Sequence, residues 1–193
     1  ERPGLSGKLF PSKDFPNIVI CITGAGASKP FSVIITNKFA NLDTLEKAQC
    51  FPQYCYDEGN PAQKDLFYGH ESQKYVRRDA ISDFVLERSQ KLYGKNVNKE
   101  DIFYYVYGFL HCREYRETFA NDLKKRLPRL TLVEDVRDFW AFSKAGRALA
   151  ELHLNYESVP ACPDVKMSGD ESQFYIVEKM RFPKKDQKDT IIY

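Results

Sequence analysis

The sequence has no run of apolar residues near the ~20 that a bilayer-spanning helix needs, and no basic segment followed by an apolar one at its start. Its formal net charge is only +2 over 193 residues, which excludes a histone-like tail. A chain of this length can bury a substantial core. We therefore expect a soluble, intracellular protein with no membrane partner, in which the positions of charges matter more than their total.

Patterns that bind metals are also missing. The chain has 5 cysteines and 3 histidines, and no two cysteines form a C-x-x-C pair. Cys50 and Cys55 have a spacing that some metal sites allow, but no second pair of ligands follows at a useful distance. An odd number of cysteines does not fit a secreted disulfide framework either. We expect reduced thiols in a cytoplasm and no bound metal.

Pairs of residues that resemble catalytic groups have simpler interpretations. His111 and Cys112 are adjacent, and neighbours on a helix point about 100° apart, so they do not face each other. Glu134 and Asp135 suit the first turn of a helix better than an acid/base dyad. We therefore predict no catalytic residue in this chain.

A glycine-rich loop stands between two apolar segments and reads Gly24-Ala-Gly26-Ala-Ser28-Lys29-Pro30. A phosphate loop would end in Gly-Lys-Ser/Thr and open a helix, whereas Lys29 precedes proline and a strand, and no third glycine completes a dinucleotide fingerprint. Small residues could instead let the backbone approach DNA while Lys29 meets a phosphate or a base acceptor. An ordinary hairpin loop remains the alternative.

The fold class that the pattern predicts is α+β, with N-terminal strands around the glycine-rich loop, a central helical block and a C-terminal β-hairpin. Residues 1–75 are mainly β, with strands at 17–23 and 31–36, an edge strand at 50–56 that carries Pro52, and a loop at 57–74. Residues 76–156 form the helical block. Residues 157–193 form the hairpin, from a strand at 173–182 and a short one at 190–193 that the end of the chain interrupts.

Four helices are expected within the helical block. The first runs from 79 to 93, with Asp79 as its N-cap and Gly94 as its stop, and Asn98 caps the helix that follows. Tyr115, Phe119, Leu123 and Leu127 recur at steps of four on a third helix that Pro128 ends, and the fourth has Phe139, Phe142, Gly146 and Leu149 on one side. We interpret these helices as a scaffold.

Basic residues lie beside the apolar stripe of the third helix. Arg113, Arg116 and Lys124 fall on one side of it, which suits a surface that contacts phosphates. A merely solvated face is the alternative for each group of charges taken alone.

The sequence resembles a known family through four blocks, namely DIFYYVYGFLHCREYRETFANDLKKRLPRL, FSKAGRALAELHLNYE and the earlier NIVICITGAGASKPFSVIITNKFANLD and QCFPQYCY. They are similar to the C-terminal specificity domain, or target recognition domain, of type ISP restriction–modification enzymes. The resemblance implies a large prokaryotic, cytoplasmic polypeptide with nuclease, helicase-like ATPase and N6-adenine methyltransferase domains. ATP, Mg²⁺ and S-adenosylmethionine would serve that parent enzyme, and none of them is expected in this fragment. Asn60-Pro61-Ala62-Gln63 is not the Asn-Pro-Pro-Tyr signature of such a methyltransferase.

The leading hypothesis is therefore sequence-specific recognition of double-stranded DNA, with the methyltransferase and helicase-like domains of the same polypeptide as further partners. The glycine-rich loop, with Lys38 and Gln53, would read base edges, while three cations would hold phosphates. The candidate DNA-binding residues are Gly24, Gly26, Ser28, Lys29, Lys38, Gln53, Arg113, Arg116 and Lys124. The alternative is a helical docking module that couples the methyltransferase to the ATPase without touching DNA.

Overall fold

The structure is a computed structural model that describes residues 5–58, 75–174 and 176–192. The chain forms two compact units, Glu1–Glu157 and Ser158–Tyr193. The first unit contains both antiparallel sheets and α-helices, with strands before the helical block, so the predicted α+β class is confirmed.

A three-stranded antiparallel sheet forms the N-terminal part of the first unit. Its strands are β1 (Val19–Ile22), β2 (Val33–Thr36) and β3 (Gln49–Pro52), in the order β2-β1-β3. Every residue of the central strand β1 is buried, which explains its continuous run of β-branched residues and cysteine. The strands predicted on each side of the glycine-rich loop are thus confirmed. Pro52 lies on an edge strand as expected, because proline has no N–H for a second neighbour.

A second sheet pairs β4 (Tyr54–Glu58) with β5 (Tyr75–Asp79). The single strand predicted at 50–56 is therefore wrong, because the chain changes sheets at Gln53. The Gln53 N–H donates to the Ile18 carbonyl at 2.8 Å, and its own carbonyl accepts from the Ala80 N–H at 3.0 Å. The loop predicted at 57–74 lies outside the described residues beyond Glu58.

The helices are α1 (Leu5–Leu9), α2 (Asp83–Tyr93), α3 (Lys99–Leu110), α4 (Arg113–Thr118), α5 (Ala120–Leu123) and α6 (Val136–Leu154). Asp79 does not cap α2, because it ends β5, and the Ser82 hydroxyl instead accepts from the Val85 N–H. Gly94 stops α2 at φ 108°, as predicted. Asn98 caps α3 in a reciprocal capping box with Asp101.

The third predicted helix is not continuous, because it breaks at Phe119 into α4 and α5. A helix gains most of its stability by packing its apolar face, but Phe119 is 45% exposed and Leu127 is 39% exposed. Only Leu123 of that stripe is buried. The stripe therefore lacks a core to support helix along its full length.

Tyrosine hydroxyls hold the chain that follows α5. Tyr115 donates to the Arg129 carbonyl at 3.4 Å, Tyr105 to Thr131 at 2.6 Å and Tyr93 to Val133 at 2.5 Å. The acceptors alternate along the chain, so every second carbonyl faces the helices, as in an extended segment. Burial raises the pKa of Tyr105 to about 12, and Tyr105 therefore stays a hydrogen-bond donor at physiological pH.

Tyr105→Phe is expected to lower the free energy of unfolding by about 1–2 kcal/mol, because it leaves the Thr131 carbonyl without its donor. Tyr115→Phe makes the same change where the bond is longer and the ring more exposed, and should cost less. Urea unfolding of both variants checks the order. An equal or larger loss for Tyr115→Phe would contradict this account of the segment.

The core lies between the three-stranded sheet and the helices. One face of the sheet, with Ile20, Ile22 and Ile35, packs against Phe103 and Tyr107 of α3 and its neighbours. The other face packs against α1 and the chain around Leu45. Both faces are therefore covered. The glycine-rich loop connects β1 to β2 and lies at the end of this sheet where Ile22 pairs with Val33.

Helices α3 and α6 approach closely through glycine. A Cβ on Gly146 would lie 2.0 Å from the Tyr104 carbonyl oxygen and 2.7 Å from the Gly108 nitrogen. A Cβ on Gly108 would lie 2.3 Å from the Phe142 carbonyl oxygen. The two backbones therefore leave no room for a side chain at this crossing.

The unit Ser158–Tyr193 contains less regular structure than the sequence predicts. The strand predicted at 173–182 is wrong for the described residues, where a short 3₁₀ helix spans Glu171–Gln173 and a single antiparallel bridge joins Arg181 to Ile192. Ile176, Val177 and Met180 are 55–65% exposed. Because no apolar face covers these side chains, their β propensity is not sufficient to form a strand.

Candidate nucleic-acid interface

The glycine-rich loop follows β1 and is fitted tightly against the chain that precedes β3. A Cβ on Gly24 would lie 2.0 Å from the Lys47 carbonyl oxygen, and the Gly24 N–H donates to the Glu46 carbonyl at 3.1 Å. Gly26 has φ +74°, in the left-handed region that glycine adopts without strain. Gly24 is buried, so it shapes the loop and does not face a ligand directly.

A carboxylate already occupies the donors at the end of this loop. Glu46 Oε1 accepts from the Ser28 N–H at 2.9 Å, and Oε2 accepts from the Ser28 hydroxyl and the Lys29 N–H, both at 3.0 Å. These bonds, foremost those from the Ser28 and Lys29 N–H groups, hold the pKa of Glu46 below its usual value. The Ser28 and Lys29 N–H groups already donate to Glu46 and are not available to a ligand. The exposed Lys29 side chain is the group that this end of the loop presents to solvent.

The loop also touches the basic helices, which the sequence could only suggest. The Gly26 N–H donates to the Lys124 carbonyl at 2.8 Å, and Arg116 Nη2 donates to the Phe31 carbonyl at 2.7 Å. The Arg116 guanidinium lies 5.9 Å from the centre of the Phe31 ring. The structure thus brings two of the predicted phosphate-binding residues to the loop predicted to read bases.

The remaining cations of this region are exposed, with Arg113 on α4 and Lys124, Lys125 and Arg126 in the segment that follows α5. Arg113 pairs with Glu117 at 2.7 Å, and both side chains are more than half exposed, at 89% and 64%. An exposed ion pair of this kind contributes little to the free energy of folding. The guanidinium can therefore exchange its carboxylate for a phosphate. We define the cationic surface as the following residues: Lys29, Arg113, Arg116, Lys124, Lys125 and Arg126.

Two predicted residues are not brought to the loop. The register pairs Ile22 with Val33 and with Gln49 at the end of the sheet that carries the loop, and Val19 with Thr36 and Pro52 at the other end. Lys38 and Gln53 follow that other end. Lys38 is exposed, whereas Gln53 is only 7% exposed and bonded through its backbone to Ile18 and Ala80. The structure thus gives Gln53 a role in joining the two sheets, and its reading of bases stays a prediction.

Sequence reasoning missed Glu46 and Lys47, the residues that hold the loop. Lys47 Nζ donates to the Gly26 carbonyl at 2.7 Å, and Lys47 adopts φ 54°, the one positive value among the described non-glycine residues. The polar stretch around them carries no periodic signal. The contact connects residues about twenty positions apart, and only the paired strands bring them together.

Within 5–58, 75–174 and 176–192, no group of three or more His, Cys, Asp or Glu side chains is arranged to hold a metal ion. Among the helices of those same residues, none combines the length and the apolar character needed to cross a membrane.

The fold is α+β, and exposed cations beside a fixed loop are typical of domains that contact polyanions. The sequence matches the family described as the Type ISP C-terminal specificity domain over residues 1–193, and the chain belongs to that family. The resemblance seen in the sequence is thereby confirmed. Among curated proteins, none matches this chain.

Solved structures of similar proteins agree with this assignment. The Type ISP restriction–modification enzyme LlaBIII, ATP-dependent and bound to DNA, is 32% identical with a TM-score of 0.78, over 100% of this chain and 12% of that one. A nuclease-deletion mutant of the Type ISP enzyme LlaGI with a DNA substrate mimic is 31% identical with a TM-score of 0.72, over 98% and 12%. A DrdV–DNA complex is 34% identical with a TM-score of 0.66, over 80% and 14%. This chain thus spans about an eighth of the length of these proteins.

Proposed function

We propose that this specificity domain recognises a defined sequence in double-stranded DNA and thereby directs adenine methylation and DNA cleavage by other domains of the same polypeptide. The observation that carries the proposal is the junction between the glycine-rich loop and the basic helices, at Gly26–Lys124 and Phe31–Arg116. The similar solved proteins bound to DNA support it.

The two sides of the junction have different chemical tasks. The Lys29 ammonium has three donors and suits the O6 and N7 acceptors that guanine presents in the major groove. The cations of α4 and of the segment after α5 neutralise phosphates, which fixes the position of the domain on the duplex without reading its sequence. Arg116 uses one donor for the Phe31 carbonyl and retains others for a phosphate.

The catalytic parts belong to the rest of the polypeptide in this proposal. This chain is a non-catalytic fragment, and nuclease, helicase-like ATPase and N6-adenine methyltransferase domains of the parent use ATP, Mg²⁺ and S-adenosylmethionine. The parent acts in a prokaryotic cytoplasm. The methyltransferase and helicase-like domains are accordingly the partners of this domain within one polypeptide.

The test is DNA binding by the intact polypeptide that carries this chain, measured by fluorescence anisotropy. One duplex contains the recognised site, mapped from the methylated adenines, and the other lacks it. Lys29→Ala is expected to reduce discrimination between them by about five- to 150-fold, since a good base contact contributes ~1–3 kcal/mol. Arg113→Ala is expected to weaken both duplexes alike and to reduce the salt slope by about 1.

Lys91→Ala is the matched control, because Lys91 is an exposed lysine of α2 outside the cationic surface. It should leave discrimination unchanged. Unaltered binding in both Lys29→Ala and Arg113→Ala would contradict this placement of the DNA surface.

That contrary result would favour a docking module, the second candidate function. The supporting observation is an apolar groove between α2, α3 and the extended segment, beside which Phe84 is 70% exposed. Ile81, Val85, Val106 and Leu132 line it. Exposed apolar surface of this kind commonly marks an interface, here with another domain of the same polypeptide.

A further inference from the structure

Glu46 and Lys47 form a clamp around the glycine-rich loop, in the segment between β2 and β3. The Glu46 carboxylate accepts from Ser28 and Lys29 on one side of the loop. Lys47 Nζ donates to the Gly26 carbonyl, and the Lys47 carbonyl packs against Gly24. The clamp therefore grips the loop near both of its ends.

The geometry of Lys47 is costly by itself. A non-glycine residue at φ 54° is strained, because its Cβ approaches its own backbone. A strained conformation persists only where neighbouring contacts fix it. Here those contacts are the hydrogen bond that Lys47 Nζ donates to the Gly26 carbonyl and the hydrogen bonds that the adjacent Glu46 accepts from the loop.

We propose that Glu46 and Lys47 are positioning residues that fix the recognition loop before DNA binds, so that sequence discrimination depends on them although neither reads a base. This inference rests on the proposed function. A free loop with two glycines would have to be ordered during binding, and the associated loss of entropy would weaken the specific complex. The clamp has already ordered it.

The clamp also decides which groups can meet DNA. Two adjacent N–H groups with a hydroxyl make a concave site that attracts anions, including any phosphate of any sequence. Glu46 fills that site with a carboxylate of the chain itself. The loop then offers DNA the Lys29 side chain and not its backbone, which favours base reading over indiscriminate phosphate binding.

Electrostatics and positioning predict opposite results for the loss of Glu46. Removing a negative charge beside a DNA surface should strengthen binding to every duplex. Loss of positioning should instead weaken binding to the recognised site alone. A single pair of affinities separates the two effects.

The experiment compares Glu46→Gln with Asp43→Asn in the intact polypeptide, by anisotropy on duplexes with and without the recognised site. Asp43 lies in the same exposed segment, and its carboxylate makes none of the clamp bonds. Glu46→Gln keeps the size of the side chain, but its amide NH₂ would face one of the three loop groups that donate to Glu46. That hydrogen bond is then lost. We expect its discrimination to fall about tenfold, as binding to the recognised site weakens. Asp43→Asn should strengthen both duplexes alike and keep their ratio.

Ser28→Ala is the milder second variant, because it removes only the hydroxyl bond to Glu46 Oε2. It should lose discrimination in the same direction by a smaller factor, and it serves if Glu46→Gln does not fold. Discrimination in Glu46→Gln that equals that of Asp43→Asn would overturn the proposal.

Lys29→Ala separates the two hypotheses. If Lys29→Ala loses discrimination and a folded Glu46→Gln does not, the clamp is wrong and the proposed function stands. If the unaltered protein fails to discriminate, the proposed function itself fails. If Lys29→Ala and Arg113→Ala both bind normally, the placement of the DNA surface is wrong.

Discussion

Gly146→Ala is expected to lower the free energy of unfolding by about 2 kcal/mol, although alanine is favoured over glycine in a helix by ~1 kcal/mol. The added Cβ would lie 2.0 Å from the Tyr104 carbonyl oxygen and 2.7 Å from the Gly108 nitrogen. Backbone atoms cannot rotate away, so α3 and α6 must separate. The melting temperature should fall by about 4–8 °C, given the usual scaling for a domain of this size.

Gly7→Ala provides the matched control, because the same methyl group added in α1 meets no atom within 4 Å. It should leave the melting temperature unchanged or raise it. A stabilised Gly146→Ala protein would show that the two helices are not in backbone contact at this crossing. Calorimetry of both variants shows whether each substitution lowers or raises the melting temperature.

Asn17→Ala is expected to destabilise the protein by about 3–5 kcal/mol, because several buried backbone groups lose their partner at once. Asn17 is 3% exposed. Its Nδ2 donates to the carbonyls of Leu9 at 2.9 Å and Tyr54 at 2.8 Å, and its Oδ1 accepts from the N–H groups of Ile18 at 2.9 Å and Tyr54 at 3.1 Å. One amide thus joins α1, the residue before β1 and the start of β4.

Asn121→Ala removes an exposed amide from α5 and should change stability by less than ~0.5 kcal/mol. Chemical unfolding measures both losses. Hydrogen exchange gives a local readout, since the Tyr54 N–H should exchange faster in Asn17→Ala. A similar loss for the two variants would mean that Asn17 does not hold the two sheets together.

The parts of the fold that were predicted correctly are those that short-range rules determine. The β-branched residues of β1 and β2 indicate strands, and Asn98 and Gly94 mark helix ends through hydrogen bonds to their own neighbours. Pro52 indicates an edge strand because it lacks a donor.

The errors arise where distant contacts override a local pattern. Phe119 continues a stripe with helical spacing, yet no core faces it, and the helix breaks there. Asp79 has the chemistry of a cap, yet pairing with Tyr54 places it in a strand. The strand expected near Val177 fails for the same reason as the helix, since its apolar side chains find nothing to pack against.

The candidate site divides in the same way. Local composition pointed to the loop and to the basic helices, and the structure joins Gly26 to Lys124 and Phe31 to Arg116. Local composition could not have revealed Glu46 as the loop's partner, because an acidic residue in a polar segment has many possible neighbours. Gln53 was predicted from the chemistry of its side chain, whereas the hydrogen bonds of its backbone to Ile18 and Ala80 hold it in a buried position.

The bonds between the loop and the basic helices have an evolutionary consequence. The Gly26 N–H, the Lys124 carbonyl and the Phe31 carbonyl are main-chain atoms, and Arg116 is the one side chain among these bonds. Main-chain partners survive substitution of the residues that carry them. Under the proposed function, the side chain at position 29 can therefore be exchanged during divergence to change the target sequence, while the distance from that residue to the basic residues of α4 is inherited intact.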